Sequence, residues 1–208
     1  MNSKTLSYMV ATVVGVALAL GTFWVLQDRT APAAEVPQAW SQEAVLLSPV
    51  PEVDLVHEGP REAIPLDYQG PIHIKTYASP TCGCCGFWAD HMREHGFEVE
   101  EEHRADMGQV KVALGVDVRI SSCHTAVVNG YVIEGHVPAQ DVRRLLAEAP
   151  QVRGLTVPGM PLGSPGMEMP TGEEDDYQVL TFTAAGDLGV FSQHGPSFSG
   201  TASDVAVD

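Results

Sequence analysis

Between residues 71 and 150 the chain alternates patterns of period two with patterns of period near 3.6. That alternation restricts the segment to a sheet covered by helices. "PIHIKTYAS" opens the series, with Ile72, Ile74 and Thr76 alternating with His73, Lys75 and Tyr77 as in a strand. "PTCGCC" follows as a loop. "GFWADHMREHG" predicts a helix with Trp88 and Met92 on one face and Gly96 as its stop. "FEVEEEHR" predicts a strand with Phe97 and Val99 inward. "ADMGQVKVALG" predicts a second helix, capped by Asp106 and stopped by Gly115. In "HTAVVNGYVIEGHV" the Asn129-Gly130 pair between β-branched and aromatic runs predicts a hairpin. "PAQDVRRLLAEAP" predicts a third helix, with Pro138 near its first turn and Pro150 past its end.

The resulting order, β-α-β-α-β-β-α with cysteines after the first strand, resembles the thioredoxin-like class of α/β domains. Cys82 and Cys85 have the Cys-x-x-Cys spacing of that class, and Cys84 is inserted between them. The domain is expected over residues 70–150. Residues 30–69, rich in Pro, Ala and Glu, read as a linker with a short helix near residues 41–47. Residues 151–194 read as a C-terminal extension. Its first part, "QVRGLTVPGMPLGSPGMEMPTGEEDD", is Met-, Pro- and Gly-rich and is expected to form neither helix nor central strand. Its second part, "YQVLTFTAAGDLGVFSQ", reads as a terminal β-hairpin turning near Ala185-Gly186-Asp187. Residues 195–208 are expected to be disordered.

The 208-residue chain carries a net charge of -16 from 27 acidic and 11 basic residues. Such a field repels phosphate backbones and excludes nucleic acid as a partner. Residues 8–26, "YMVATVVGVALALGTFWVL", contain no charge and follow Lys4. This run is longer than the roughly 7–15 apolar residues of a signal peptide and close to the ~20 that span a bilayer. Ala31-Pro32-Ala33 nevertheless resembles a cleavage site, so residues 1–29 are either a signal peptide or an inner-membrane anchor. Either one places the remainder outside the cytoplasm, in the periplasm of a Gram-negative cell.

Four cysteines in an exported protein invite a disulfide reading, but Cys82, Cys84 and Cys85 enclose almost no loop, and bonding any pair of them removes little chain entropy. At a helix start their sulfurs would meet free N–H groups and the positive end of the helix dipole, which favour thiolate. That environment suits dithiol exchange and soft-metal binding equally. Exchange needs one attacking and one resolving sulfur, which leaves Cys84 surplus. Three thiolates on one turn form a soft donor set, and Cys123 with His124 would face it from the start of the third strand. A crowded, bridging thiolate set suits several Cu(I) ions better than one tetrahedral zinc. Thioethers also select copper, and Met160, Met167 and Met169 could supply them. Metal binding, dithiol redox without metal, and structural disulfides all remain readings of these residues. His91 and His95, four apart, are a two-His metal edge or a solvated or core-edge pair. His136, in "EGHVP", is a structural loop residue or a neighbour of the site.

Three segments, "SPTCGCCGFWADHM", "SSCHTAVVNGYVIEGHVPAQDVRRLL" and "GLTVPGMPLGSPGME", together resemble the CopG-type copper-resistance proteins, exported bacterial proteins with a Cys-x-Cys-Cys signature. The resemblance spans about residues 71–168. It implies a thioredoxin-like domain whose C-terminal extension contributes to the metal site, and a polynuclear copper–thiolate cluster as cofactor. It further implies interconversion of Cu(I) and Cu(II) in copper tolerance, a copper oxidoreductase activity, alongside periplasmic copper-efflux or copper-handling partners. Carried over, the primary ligands would be Cys82, Cys84, Cys85 and Cys123, with His124, Met160 and Met167 secondary. The protein is expected to be a monomer. A passive copper buffer or metallochaperone, and a metal-free thiol-disulfide oxidoreductase, are the rival functions.

Overall fold

A computed structural model of the chain describes residues 60–198. The apolar run at 8–26, the Ala31-Pro32-Ala33 motif, the helix expected at 41–47, most of the linker and residues 199–208 lie outside the described residues. Among the described residues, no helix is long and apolar enough to cross a membrane.

The elements run β1 (Ile72–Ala78), α1 (Gly83–Glu94), β2 (Phe97–His103), α2 (Met107–Ala113), a 3-10 turn (Val118–Ile120), β3 (His124–Val128), β4 (Tyr131–Glu134), α3 (Ala139–Glu148), β5 (Gly154–Thr156), β6 (Tyr177–Phe182) and β7 (Leu188–His194). The seven strands form one mixed sheet in the order β2-β1-β3-β4-β5-β6-β7. β1 and β2 are parallel, as are β4 and β5, and every other neighbouring pair is antiparallel.

Strands β3 and β4 are buried at every position, as expected of strands covered on both faces. Their alternate residues feed two cores. Ala126, Val128 and Ile133 pack with Trp88 and Met92 of α1 and Val142, Leu145 and Leu146 of α3. Val127 and Val132 pack with Val110, Leu114 and Phe182 beneath α2. A pleat of period two therefore holds two helices on one face and one on the other. Each fully buried aliphatic side chain stabilises this arrangement by about 1.5–3 kcal/mol. Trp88, fully buried, donates its Nε1–H to the Val137 carbonyl (2.9 Å) and so fixes α1 to the loop after β4.

Asn129 and Gly130 both have positive φ, 46° and 75°, the geometry of a two-residue hairpin turn. Asp106 stands at the start of α2, but its side chain makes no cap hydrogen bond and instead accepts from Arg104. The end of the linker is fixed to the domain. Arg61 lies 4.0 Å from the Tyr131 ring centroid and donates to the Val152 and Gly130 carbonyls, and the Ile64 N–H donates to Leu146.

Two further expectations need correction. The cysteine loop is shorter than expected: α1 begins at Gly83, so Cys84 and Cys85 are helical and Cys82 is the N-cap. No apolar periodicity marks that first turn, because small residues and cysteines fill it. The segment after Pro150 was expected to hold no central strand, yet β5 lies between β4 and β6. Three residues are too few to display a period. Gly154 is required in β5 because a Cβ there would run into the Val132 carbonyl across the ladder. The terminal hairpin forms as expected and continues the sheet through β5.

Candidate metal centre

The register of β1 against β3 pairs Ala78 with His124. Cys123, one residue earlier, is thereby brought against the turn leaving β1. In that turn the Cys82 N–H donates to the Ser79 carbonyl (3.0 Å), and α1 then carries Cys84 and Cys85 back toward Cys123. The four sulfurs form a closed ring. Cys82 and Cys85 are joined by a disulfide, their Cα atoms 5.6 Å apart. Cys84 Sγ lies 3.5 Å from Cys82 Sγ and 3.7 Å from Cys123 Sγ, and Cys123 Sγ lies 3.5 Å from Cys85 Sγ. Cys84 and Cys123 are free thiols. The disulfide was not favoured by loop entropy. One turn of helix instead brings residues three apart within bonding distance. Bonded sulfurs are not thiolate ligands, so ligation by all four cysteines requires two-electron reduction of Cys82–Cys85.

Two histidines complete the centre. His124 is fully buried against Trp88, ring centroids 4.5 Å apart, and its Nδ1 is 3.3 Å from Cys123 Sγ. His136, also fully buried, places Nε2 3.1 Å from the same sulfur. Its Nδ1 is 2.8 Å from the Pro165 carbonyl, to which it donates, leaving the Nε2 lone pair aimed at Cys123. One thiol proton cannot satisfy both imidazoles. His124 Nε2 is buried with no partner, an orphan that costs free energy in any tautomer. Cys123, His124 and His136 form a second set whose ligand atoms lie within 4.8 Å of one another, sharing Cys123 with the four-cysteine set. A soft cation accepting both lone pairs fits this donor set.

Burial lowers the proton affinity of both imidazoles. His124 falls well below the ordinary histidine range, through desolvation and then the neighbouring His136 and Lys111, and His136 falls through desolvation. Both are neutral, the form that ligates metal. Burial, and next the Cys84 sulfur, push the Cys123 thiol up to about 12. A bound cation is the charge that would deprotonate it.

The loop carrying Cys123 is held from both sides. Glu134, 0% exposed, accepts from the Ser122 N–H (2.6 Å), Thr125 Oγ1 (2.6 Å) and Lys111 Nζ (2.5 Å). The Ser122 hydroxyl donates to Gly159, and the Gly159 N–H donates to Ser121, which straps the C-terminal extension to the loop. Gly166 lies against α1 so closely that a Cβ would meet Trp88 N and Cys84 O. The extension thus reaches the site through Pro165 and Gly166. Met167 is partly buried in the same loop, whereas Met160 is 52% and Met169 41% exposed. His91 Nε2 accepts from the Ala139 N–H at the start of α3, and His95 Nδ1 bonds the His91 carbonyl. These bonds give both residues structural work at the α1–α3 edge. His136 is the member that residue types alone left undecided. Its signal was the hairpin: Thr125 pairs with Glu134, so residue 136 must return beside residue 123.

A ring of four sulfurs at a helix start, one of them shared with two buried neutral imidazoles, defines an α/β domain with a centre able to hold soft metal ions. The family model described as "Protein of unknown function, DUF411" matches residues 120–167. No curated protein matches the chain. Two solved structures, "Copper resistance protein copG- Form 2" and "Copper resistance protein copG- Form 1", are each 42% identical to it, with TM-scores of 0.58. Each alignment covers 61% of this chain and 100% of the other. The chain belongs to the CopG family of copper-resistance proteins.

Proposed function

We propose that this protein is a periplasmic copper-binding protein of copper resistance. In its reduced form Cys82, Cys84, Cys85 and Cys123 hold copper in a thiolate-bridged polynuclear cluster, with His124, His136 and the Met160 and Met167 thioethers as further donors. The observation that carries this reading is the ring of four sulfurs sharing Cys123 with His124 and His136. The copper-resistance proteins to which the chain is similar support it. The strand order β2-β1-β3-β4 with α1, α2 and α3 supports a thioredoxin-like core. Thiolate and imidazole together suit both Cu(I) and Cu(II), and so a change of copper oxidation state at the site. The protein acts as a monomer, exported by its apolar N-terminus and tethered to the inner membrane or released by cleavage, and exchanges copper with efflux or handling proteins. Anaerobic loading of reduced protein with Cu(I), followed by gel filtration and elemental analysis, tests the reading. More than one copper per chain is expected, with thiolate-to-copper absorption in the near ultraviolet. Protein that elutes free of copper refutes it.

A further inference from the structure

We propose that the Cys82–Cys85 pair is an electron source for copper as well as a ligand pair: as a dithiol it reduces two Cu(II) ions to Cu(I) and closes to the disulfide seen here. The inference rests on the copper-binding reading and adds a reaction to the same site. Each thiol releases a proton to solvent and gives one electron to one Cu(II), and the two sulfurs join. Two Cu(II), Cys82–SH and Cys85–SH become two Cu(I), one S–S bond and two protons, which balances charge and electrons.

Four observations single out this pair. Cys82 and Cys85 are the two that are bonded, although Cys84 lies 3.5 Å from Cys82 and Cys123 lies 3.5 Å from Cys85. After closure the site keeps a soft donor set: Cys84 Sγ, Cys123 Sγ, His124 Nδ1 and His136 Nε2. The Cu(I) produced is therefore retained by sulfur and neutral imidazole. The bond links the N-cap of α1 to its first turn, and residues 83–94 are helical with the bond in place, so the disulfide is compatible with the helix that presents the site. Finally, the pair is asymmetric: Cys85 is 2% exposed, whereas Cys82, at the N-cap, is partly open to solvent. An external dithiol can reach Cys82 Sγ, expel the Cys85 thiolate, and resolve the mixed disulfide with its own second sulfur. Cys84 and Cys123 supply retention, and Cys82 and Cys85 supply electrons.

The test uses the fully reduced protein under anaerobic conditions. Cu(II) is titrated in while its paramagnetic signal is followed. Copper is then stripped with a Cu(I) chelator, free thiols are alkylated, and the remaining disulfide is mapped by mass spectrometry. Two Cu(II) signals are expected to vanish per chain, as free thiols fall from four to two and Cys82–Cys85 is the bond recovered. Cys84→Ser is expected to weaken Cu(I) retention, yet Cys82–Cys85 should remain the bond recovered. The Cys82→Ser/Cys85→Ser variant is expected to lose the two-electron stoichiometry, yet to bind Cu(I) through Cys84, Cys123 and the imidazoles. Persistence of the Cu(II) signal, survival of four thiols, or a bond mapped to another pair or between chains overturns the inference. Cu(I) loading of the same reduced sample separates the two readings. If Cu(I) binds but Cu(II) consumes no thiols, only the electron-source inference fails. If Cu(I) does not bind, the copper-binding reading fails with it.

Discussion

Replacing Lys111 with Met isolates the support beneath the Cys123 loop. The side chain of Lys111 is 14% exposed and pairs with the wholly buried carboxylate of Glu134. Removing one partner of a buried pair typically costs 3–5 kcal/mol, because the remaining charge is stranded. Glu134 keeps its bonds from Thr125 and Ser122, so the lower figure applies: about 3 kcal/mol, or on the order of 10 °C in Tm. The pH dependence identifies the cause. Burial already raises the Glu134 carboxyl, while Lys111 and the bonds from Thr125 and Ser122 oppose that rise. Deleting Lys111 raises it further. A carboxyl whose folded-state pKa lies above its unfolded value stabilises the fold at low pH, and that stability is lost as pH rises through the folded value. The Lys111→Met loss should therefore be clearly larger at pH 7.5 than at pH 5 in urea melts. The double variant Lys111→Met/Glu134→Gln, which carries no stranded charge, should recover part of it. A loss below about 1 kcal/mol, or the same loss at both pH values, would refute the stranded-charge argument.

Further substitutions address the site itself. His136→Gln removes the Nε2 lone pair facing Cys123. It should weaken Cu(I) retention by on the order of tenfold or more in a chelator competition, with far-ultraviolet dichroism unchanged. Gly166→Ala places a Cβ at φ +83° against Trp88 N and Cys84 O. It should destabilise the fold by about 1–3 kcal/mol and speed proteolysis of the extension, and wild-type resistance would show that the extension does not lean on α1.

Much of the fold is legible in the chain itself. β1, β2 and the β3–β4 hairpin carry long alternating runs or a turn pair with one geometry, and Pro138 and Pro150 bracket α3. What stayed hidden has local causes. β5 is three residues long and made possible by a missing Cβ at Gly154 rather than by any apolar pattern. The first turn of α1 consists of Gly83, Cys84, Cys85 and Gly86, which carry no helical signal of their own. Among the candidate ligands, the cysteines declare themselves by clustering. His136 does not, because its approach to Cys123 depends on hairpin register and on the Pro165 carbonyl. Lys111 and Glu134 are single charges in apolar contexts, and only the packed sheet shows that they face each other.

X-ray absorption at the copper edge, on reduced protein loaded anaerobically with Cu(I), examines the central claim most directly. Sulfur should dominate the nearest shell, with a minor imidazole contribution and a short copper–copper vector from bridging thiolates. Cys123→Ser should lose both the vector and much of the bound copper. A shell of nitrogen and oxygen alone, or a spectrum unchanged by Cys123→Ser, would contradict a copper centre built on this ring of cysteines.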